Sequence, residues 1–309
     1  MINTDKTAIL MAAYNGEKYL KEQIDSILDQ SFQDWELFIH DDGSKDRTVK
    51  ILDSYAEKYP DRIHVLKGPA AGGAKNNFLY LMNSVSAPYI LFSDQDDVWK
   101  PKKVEKTLNG MQELENLYGN DIPLLVFTEL TIVDQKLNIL AEKMCDYQKL
   151  NPTDQKINHI MLQNEMTGCT MMINKKLRDM GLKLKHPEKI IMHDWWLALI
   201  AVYFGKTMYI KEPQIFYRQH GDNSVGAKDI TSWEYIRNFL ENKDKVKESL
   251  LKTQIQAEEF VDVFQIEDEM LTQYAKINER NKISRLSFYA NCQIWKSDFI
   301  RNLGLLVFG

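Results

Sequence analysis

Tyr89-Ile90-Leu91-Phe92-Ser93-Asp94-Gln95-Asp96-Asp97-Val98-Trp99 is an apolar run that ends in three carboxylates within four positions. The run has the length and composition of a buried strand. Positions two apart on a strand point the same way, so Asp94 and Asp96 are expected on one face of its end. Hard oxygen ligands in that arrangement suit Mg²⁺ or Mn²⁺, which keep several waters and take one or two protein carboxylates beside substrate phosphates. The expectation is a metal and nucleotide site at a strand terminus. A solvated acidic turn has the same composition, so the neighbouring strands decide between the two.

Upstream, short apolar strands alternate with amphipathic helices. Thr7–Ala13 reads as a strand and Glu17–Gln30 as a helix, with Tyr19, Leu20, Ile24, Ile27 and Leu28 at helical spacing. Trp35–His40 is followed by a helix from about Asp46 to Tyr59, and Arg62–Leu66 by the small-residue loop Gly68–Ala74 and a helix through Asn77–Val85. Downstream come a charged helix to Tyr118, a strand at Leu124–Thr128 and a polar segment, 129–158, read as loops over a sheet edge. Order resumes with Thr167–Ile173, a helix at His193–Phe204, and short strands at Thr207–Ile210 and Gln214–Tyr217. The alternation predicts an α/β fold whose mostly parallel sheet is flanked by helices. After Gly226 there is no proline and Lys/Glu/Gln-rich helical pattern dominates. The chain is therefore divided into a first domain, 1–226, and a helical C-terminal region, 227–309.

A net charge of −5 over 309 residues leaves no electrostatic footprint for nucleic acid. Cys145, Cys169 and Cys292 lack metal-ligand spacing and suggest inert thiols in a reducing compartment. The N-terminal apolar run is too short and wrongly flanked for a secretory signal, and no stretch reaches the roughly 18 apolar residues of a spanning helix.

In open parallel sheets, ligands bind outside the carboxyl ends of the strands. Here those ends carry Ala13-Tyr14-Asn15-Gly16, Asp41-Asp42-Gly43-Ser44, the glycine loop and Asp94-Gln95-Asp96-Asp97. Each alone is an ordinary turn sequence; four in succession read as a site. The dinucleotide and phosphate-loop fingerprints are both missing, which argues against a dehydrogenase or a P-loop enzyme. A nucleotide would be held at base and ribose by Tyr14, Asp42 and Asp94, with a metal carrying its diphosphate.

Ala-Tyr-Asn-Gly, His-Asp-Asp-Gly-Ser-Lys-Asp-Arg-Thr and Ser-Asp-Gln-Asp-Asp-Val-Trp, in that order, resemble the family 2 glycosyltransferases, enzymes of the GT-A fold that use nucleotide-diphospho-sugars. The likeness runs from about residue 7 to 226. Thr167-Gly168-Cys169, His193-Asp194-Trp195-Trp196 and Tyr217-Arg218-Gln219-His220-Gly221 are similar to the bacterial rhamnosyltransferases of that family. The resemblance implies a nucleotide site formed by Ala12, Tyr14, Asn15, Asp42, Gly73, Asn77 and Asp94, and a Mg²⁺ or Mn²⁺ site formed by Asp96, Asp94 and His220. It makes Asp194 the general base of an inverting transfer, within a motif that often reads Glu-Asp and here reads His-Asp. Capping the following helix is the other role open to Asp194. Trp99, Trp195 and Trp196 are candidates for stacking on sugar, one of the three being expected to do so, and Arg218 for pairing with a phosphate or the acceptor.

The implied donor is dTDP-L-rhamnose, with a UDP-hexose donor or a non-catalytic nucleotide-sugar-binding subunit as alternatives. The implied acceptor is a lipid-linked precursor of a surface polysaccharide. In the tail, Lys276, Arg280, Lys282, Arg285, Lys296 and Arg301 interleave with aromatic and aliphatic residues. That pattern suits a helix on an anionic membrane surface, placing the protein in the cytoplasm at the inner face of the membrane. A homodimer helix is the competing reading.

Overall fold

The computed structural model describes residues 1–221 and 243–308. A two-residue strand, β1 (Ile2–Asn3), precedes the first long one, β2 (Thr7–Ala13), which has no exposed position and is covered on both faces. The chain then alternates through α1 (Leu20–Leu28), β3 (Trp35–Asp41), α2 (Thr48–Lys58), β4 (Ile63–Leu66), α3 (Ala74–Ser84), the short β5 (Val85–Ser86) and β6 (Tyr89–Ser93). In α1 the buried Leu20, Ile24 and Ile27 recur three and four apart while Lys21 and Glu22 face out, which is the helical pattern the sequence carries.

After β6 come β7 (Val98–Trp99), α4 (Lys103–Tyr118), β8 (Leu124–Val133), β9 (Ile139–Ala141) and the single-turn helices α5 (Met144–Tyr147) and α6 (Ile157–Ile160). They lead to β10 (Met171–Asn174), α7 (Lys175–Gly181), α8 (His193–Phe204) and β11 (Lys206–Arg218). Four helices close the chain: α9 (Lys243–Phe264), α10 (Glu269–Ala275), α11 (Lys282–Asn291) and α12 (Phe299–Phe308). The division expected at 226/227 lies outside the described residues.

The main sheet runs β4-β3-β2-β6-β10-β8-β11-β7, with β9 beside β8. β4, β3, β2 and β6 are mutually parallel, in a register that sets Ala13 beside Asp41 and Met11 beside Ser93. Their carboxyl ends therefore open on one edge of the sheet, where ligands of such folds bind. Alternation along the strands feeds two cores. Ala8, Leu10, Phe38 and Phe92 pack on one face, and Ile9, Met11, Leu37 and Leu91 on the other.

The second half departs from simple alternation. β10 lies antiparallel to both β6 and β8. β8 continues, fully buried, through residue 133, five residues past its expected end. Glu129 hid that continuation: a carboxylate in an apolar pattern reads as a turn. Here it is buried, accepting hydrogen bonds from the Leu130 and Met144 amides (2.9 and 3.1 Å) and from the Tyr209 hydroxyl (2.7 Å). β11 joins the two short strands expected near its ends, and Pro213 sits where its register against β8 shifts.

The C-terminal helices complete the core on the α8 side. Trp196 of α8, fully buried, meets Phe260 of α9 edge-on at 5.7 Å and stacks on Phe264 at 5.8 Å. Glu259 accepts the Lys185 and His186 amides at 2.8 Å each, and Tyr274, Tyr289, Ile294 and Leu305 belong to the same cluster. Phe260→Ala is expected to lower stability by about 3–5 kcal/mol, the usual range for emptying a large aromatic site in a core. Thermal or denaturant unfolding checks this; a loss below about 1 kcal/mol would mean that α9 does not share the core of α8.

Candidate active site

At the end of β2 the Gln95 side chain pairs with the backbone of Tyr14, accepting its N–H (2.9 Å) and donating to its carbonyl (2.7 Å). A Cβ at Gly16 would lie 2.2 Å from Gln95 Oε1, so a larger residue there would displace the Gln95 amide from Tyr14. The next loop is tied to this one. Asn15 (φ 47°) donates its N–H to Ser44 Oγ (2.7 Å) and accepts the Lys45 N–H on Oδ1 (2.9 Å), and the Gly16 N–H reaches Thr48 Oγ1 (2.7 Å). Asp41 caps its own turn through the Gly43 and Ser44 amides. Tyr14 is left half-exposed above this frame, and Ala12 is partly exposed beneath it.

Asp42 faces the glycine loop. Its carboxylate accepts the amides of Ala71, Gly72 (2.9 Å) and Gly73 (2.6 Å), joining the end of β3 to the start of α3. Gly72 and Gly73 have φ of 84° and 106°, a region that favours glycine and lets three amides converge on one acid. Asn77 is buried within α3 and spends its amide on His40, with Oδ1 against His40 Nδ1 (2.8 Å) and Nδ2 donating to the His40 carbonyl (3.0 Å). It clamps the strand below the loop, where the resemblance had implied a place in the nucleotide site.

β6 stops at Ser93, and the chain turns through Asp94–Asp97 into β7. The turn replaces the strand alternation expected for Asp94 and Asp96. Asp94 and Asp97 instead approach Cys169, with one donor atom of each within 4.8 Å of the others, while Asp96 Oδ2 meets His220 Nε2 at 2.7 Å. Burial first, then repulsion from Asp96 and Asp194, pushes the Asp94 carboxyl up to about 7. Asp97 is held well above the usual carboxylate range by burial and by its acidic neighbours.

Two cations that the sequence reading did not place here lie against this turn; Arg218 bonds it directly and Lys103 is near it without a hydrogen bond to it. Arg218, almost fully buried, donates its backbone N–H to Asp97 Oδ1 (3.1 Å), Nε to the Asp96 carbonyl (2.8 Å) and a terminal nitrogen to the Gln135 carbonyl (2.7 Å). It also pairs with Glu22 of α1 (2.5 Å) and lies 4.4 Å from the Tyr19 ring centroid. Arg218 thus anchors the acidic turn, where the sequence reading expected it to pair with a phosphate or the acceptor. Lys103, fully buried, sits 3.4 Å above the Trp99 ring, and burial lowers its ammonium to about 7 against the opposing pull of Cys169, Asp97 and Asp94.

Asp194 stands in the first turn of α8. Its Oδ2 accepts the Gly168 N–H (2.9 Å) and its Oδ1 the Trp195 N–H (2.6 Å). Met192 is the capping position, so Asp194 bonds one helix amide and one amide from the loop before β10. Burial raises its carboxyl to about 6, and those backbone donors oppose the rise. His193, buried between Phe78 (4.2 Å) and Phe92 (5.1 Å), is kept neutral by desolvation, its pKa lowered to about 3. Of the three tryptophans, Trp99 and Trp196 are core residues, 2% and 0% exposed, and cannot stack on a sugar. Trp195 is partly exposed beside Asp194, with Nε1 donating to the Ile160 carbonyl (2.6 Å).

Whether the acids fit a divalent cation follows from their chemistry. The Asp94, Asp97 and Cys169 trio is a poor cradle for Mg²⁺, because Cys169 is buried and its thiol is pushed well above its usual range. The Asp94 and Asp96 side fits better: its carboxylates repel one another, and a hard cation relieves that repulsion.

The parallel half-sheet with loaded carboxyl ends defines the GT-A class of nucleotide-sugar folds. S. aureus TarS residues 1–349, solved in complex with UDP, superposes with a TM-score of 0.51 at 15% identity, over 93% of this chain and 78% of that one. Residues 8–178 match Glycosyl transferase family 2, and the chain belongs to that family. Among its relatives, the dTDP-rhamnosyl transferase RfbG of Shigella flexneri is 32% identical over 246 residues, 75% of this chain and 80% of that protein. An uncharacterized glycosyltransferase of Methanocaldococcus jannaschii, MJ1057, is 30% identical over 76% and 80% of the two chains. The protein is a glycosyltransferase.

Arg218→Met should disorganise the acidic turn and weaken metal-dependent binding of a nucleoside diphosphate at least about tenfold, ~1.4 kcal/mol. Calorimetric titration with and without Mn²⁺ checks it. An equal loss in both conditions would instead make Arg218 a direct phosphate ligand.

Proposed function

We propose that this family 2 enzyme transfers L-rhamnose from dTDP-L-rhamnose, with inversion to an α-L-rhamnoside, onto a lipid-linked precursor of a surface polysaccharide. The donor assignment is supported by the relative RfbG, whose name specifies dTDP-rhamnosyl transfer. The observation that carries the mechanism is Asp194: a carboxyl raised to about 6, both oxygens held by backbone amides, electrostatically linked to Asp94 and beside the partly exposed Trp195.

Tyr14 packs on the pyrimidine, and Asp42 with the glycine loop frames the base and ribose end. Asp94 and Asp96, with His220 against Asp96, would hold Mg²⁺ or Mn²⁺. When bound, that cation offsets charge on the departing diphosphate. Asp194 takes the proton from the acceptor hydroxyl as it attacks the anomeric carbon, and the Gly168 and Trp195 amides fix its direction. Trp195 offers the sugar an apolar face. Among the described residues no helix is long and apolar enough to cross a membrane, and we assign the lipid-linked acceptor to a peripheral enzyme on the cytoplasmic side.

Calorimetry with dTDP-rhamnose, UDP-glucose, UDP-galactose and UDP-N-acetylglucosamine, each with Mg²⁺ or Mn²⁺, tests the donor. Tightest binding of a UDP-sugar would sink the rhamnose assignment. Asp194→Asn should keep donor affinity while turnover falls by roughly 10²–10⁴. The base works deprotonated, so kcat/KM should climb as pH rises through about 6 and level off above it. A profile without that acid limb, or a variant within a few-fold of the parent, would return Asp194 to a structural role.

A further inference from the structure

α12 is amphipathic, but its apolar stripe faces outward. Phe299, Leu303, Leu306 and Val307 recur at helical spacing and are 78, 41, 40 and 47% exposed, while Leu305 on the other side is buried in the core. The start of α11 lies against the end of this helix, since Lys282 Nζ donates to the Val307 carbonyl (2.7 Å). Next to Lys282, Ile283 is 82% exposed, more than any other large apolar side chain among the described residues. A groove of about 800 Å³ begins at Ile283 and is lined by residues of α10 and α11, with Arg280, which donates to Gln273 Oε1 (2.8 Å), and one acid, Glu269, among its polar groups. From Lys276 to Gly309 six basic residues stand against two acidic ones in a chain of net −5; Lys296 is withdrawn by burial, and Lys276, Arg280, Lys282, Arg285 and Arg301 remain for the surface.

Contiguous exposed apolar surface is uncommon on a solvated monomer and marks contact with a protein or a membrane. The basic surround selects between them. A second copy of this chain brings the same positive charge to the contact, whereas an anionic bilayer complements it. We propose that Phe299, Leu303, Leu306, Val307 and Ile283 enter an anionic bilayer as one apolar ridge, with Lys282, Arg285 and the Arg280 groove at the phosphate headgroups. This rests on the lipid-linked acceptor proposed above and identifies the surface that meets the membrane. The apolar ridge supplies a salt-resistant part of the binding and the basic groups a screened, salt-sensitive part.

The test is cosedimentation of the full chain with vesicles of phosphatidylglycerol and phosphatidylcholine, against phosphatidylcholine alone, over a range of salt. The parent should prefer the anionic vesicles. Phe299→Ser with Leu306→Ser, both at exposed positions, should reduce the bound fraction at least about tenfold at every salt concentration. Lys282→Gln with Arg285→Gln should lose the preference and flatten the salt dependence. Melting temperature and dTDP binding, measured on each variant, should match the parent. Apolar-ridge variants that sediment like the parent would overturn the proposal. So would variants whose solution mass falls from dimer to monomer, which would make the ridge an interface between copies. Vesicle binding without dTDP binding in the parent would sink the dTDP-rhamnose assignment and still support this surface; the reverse pattern would sink the surface alone.

Discussion

Burial and acidic neighbours together raise the carboxyls of Asp94, which feels Asp96 and Asp194, and of Asp97, which feels Asp96 and Asp94, and the surrounding architecture is organised to tolerate it. Unpaired buried charge is among the most expensive things a fold can contain. Arg218 answers from one side by tying the backbone and a carboxylate of the acidic turn to α1, and Lys103 from below by setting a buried ammonium near Asp97 and Asp94. Arg218 ends the last strand of the sheet and Lys103 opens the helix after the turn. The turn thus has its shape only when β6, α4 and β11 are all in place. That is why catalysis can be asked of a loop: its freedom has been removed by long-range contacts.

Much of the first half was legible. Strand runs covered on both faces, helices with apolar residues three and four apart, and turn residues at the strand ends are local signals, and parallel pairing follows from their alternation. The position of Asp194 at the head of a helix was legible as well, because Trp195–Phe204 is a continuous apolar run that follows it and ends at Gly205.

What was not legible depends on contacts between segments far apart in the chain. Glu129 reads as the end of a strand until Tyr209, eighty residues on, satisfies it. Arg218 reads as a ligand for phosphate because nothing local reveals that Glu22 and the Asp96 carbonyl are its partners. Trp99 and Trp196 look available for a sugar until Lys103 and Phe260 are found against them. Lys103 itself sits in a run of charged residues, Lys100 to Lys106, most of them solvated, and no local signal marks the one that is buried.

The packing of Trp196 on Phe260 and Phe264 bears on how far this enzyme is modular. Asp194 and Trp196 lie on the same helix, two residues apart, so the candidate base and the seat of the C-terminal helices form one mechanical piece. The division of the chain into a catalytic part and a tail does not correspond to a division of its interior. A chimera that borrows the last helices of a relative inherits a foreign support for α8, and the alignment of Asp194 with the acidic turn changes with it. Exchange of acceptor preference between relatives is therefore expected to succeed when α8 and the 182–191 segment that meets α9 travel with the tail, and to fail when the junction is cut between them.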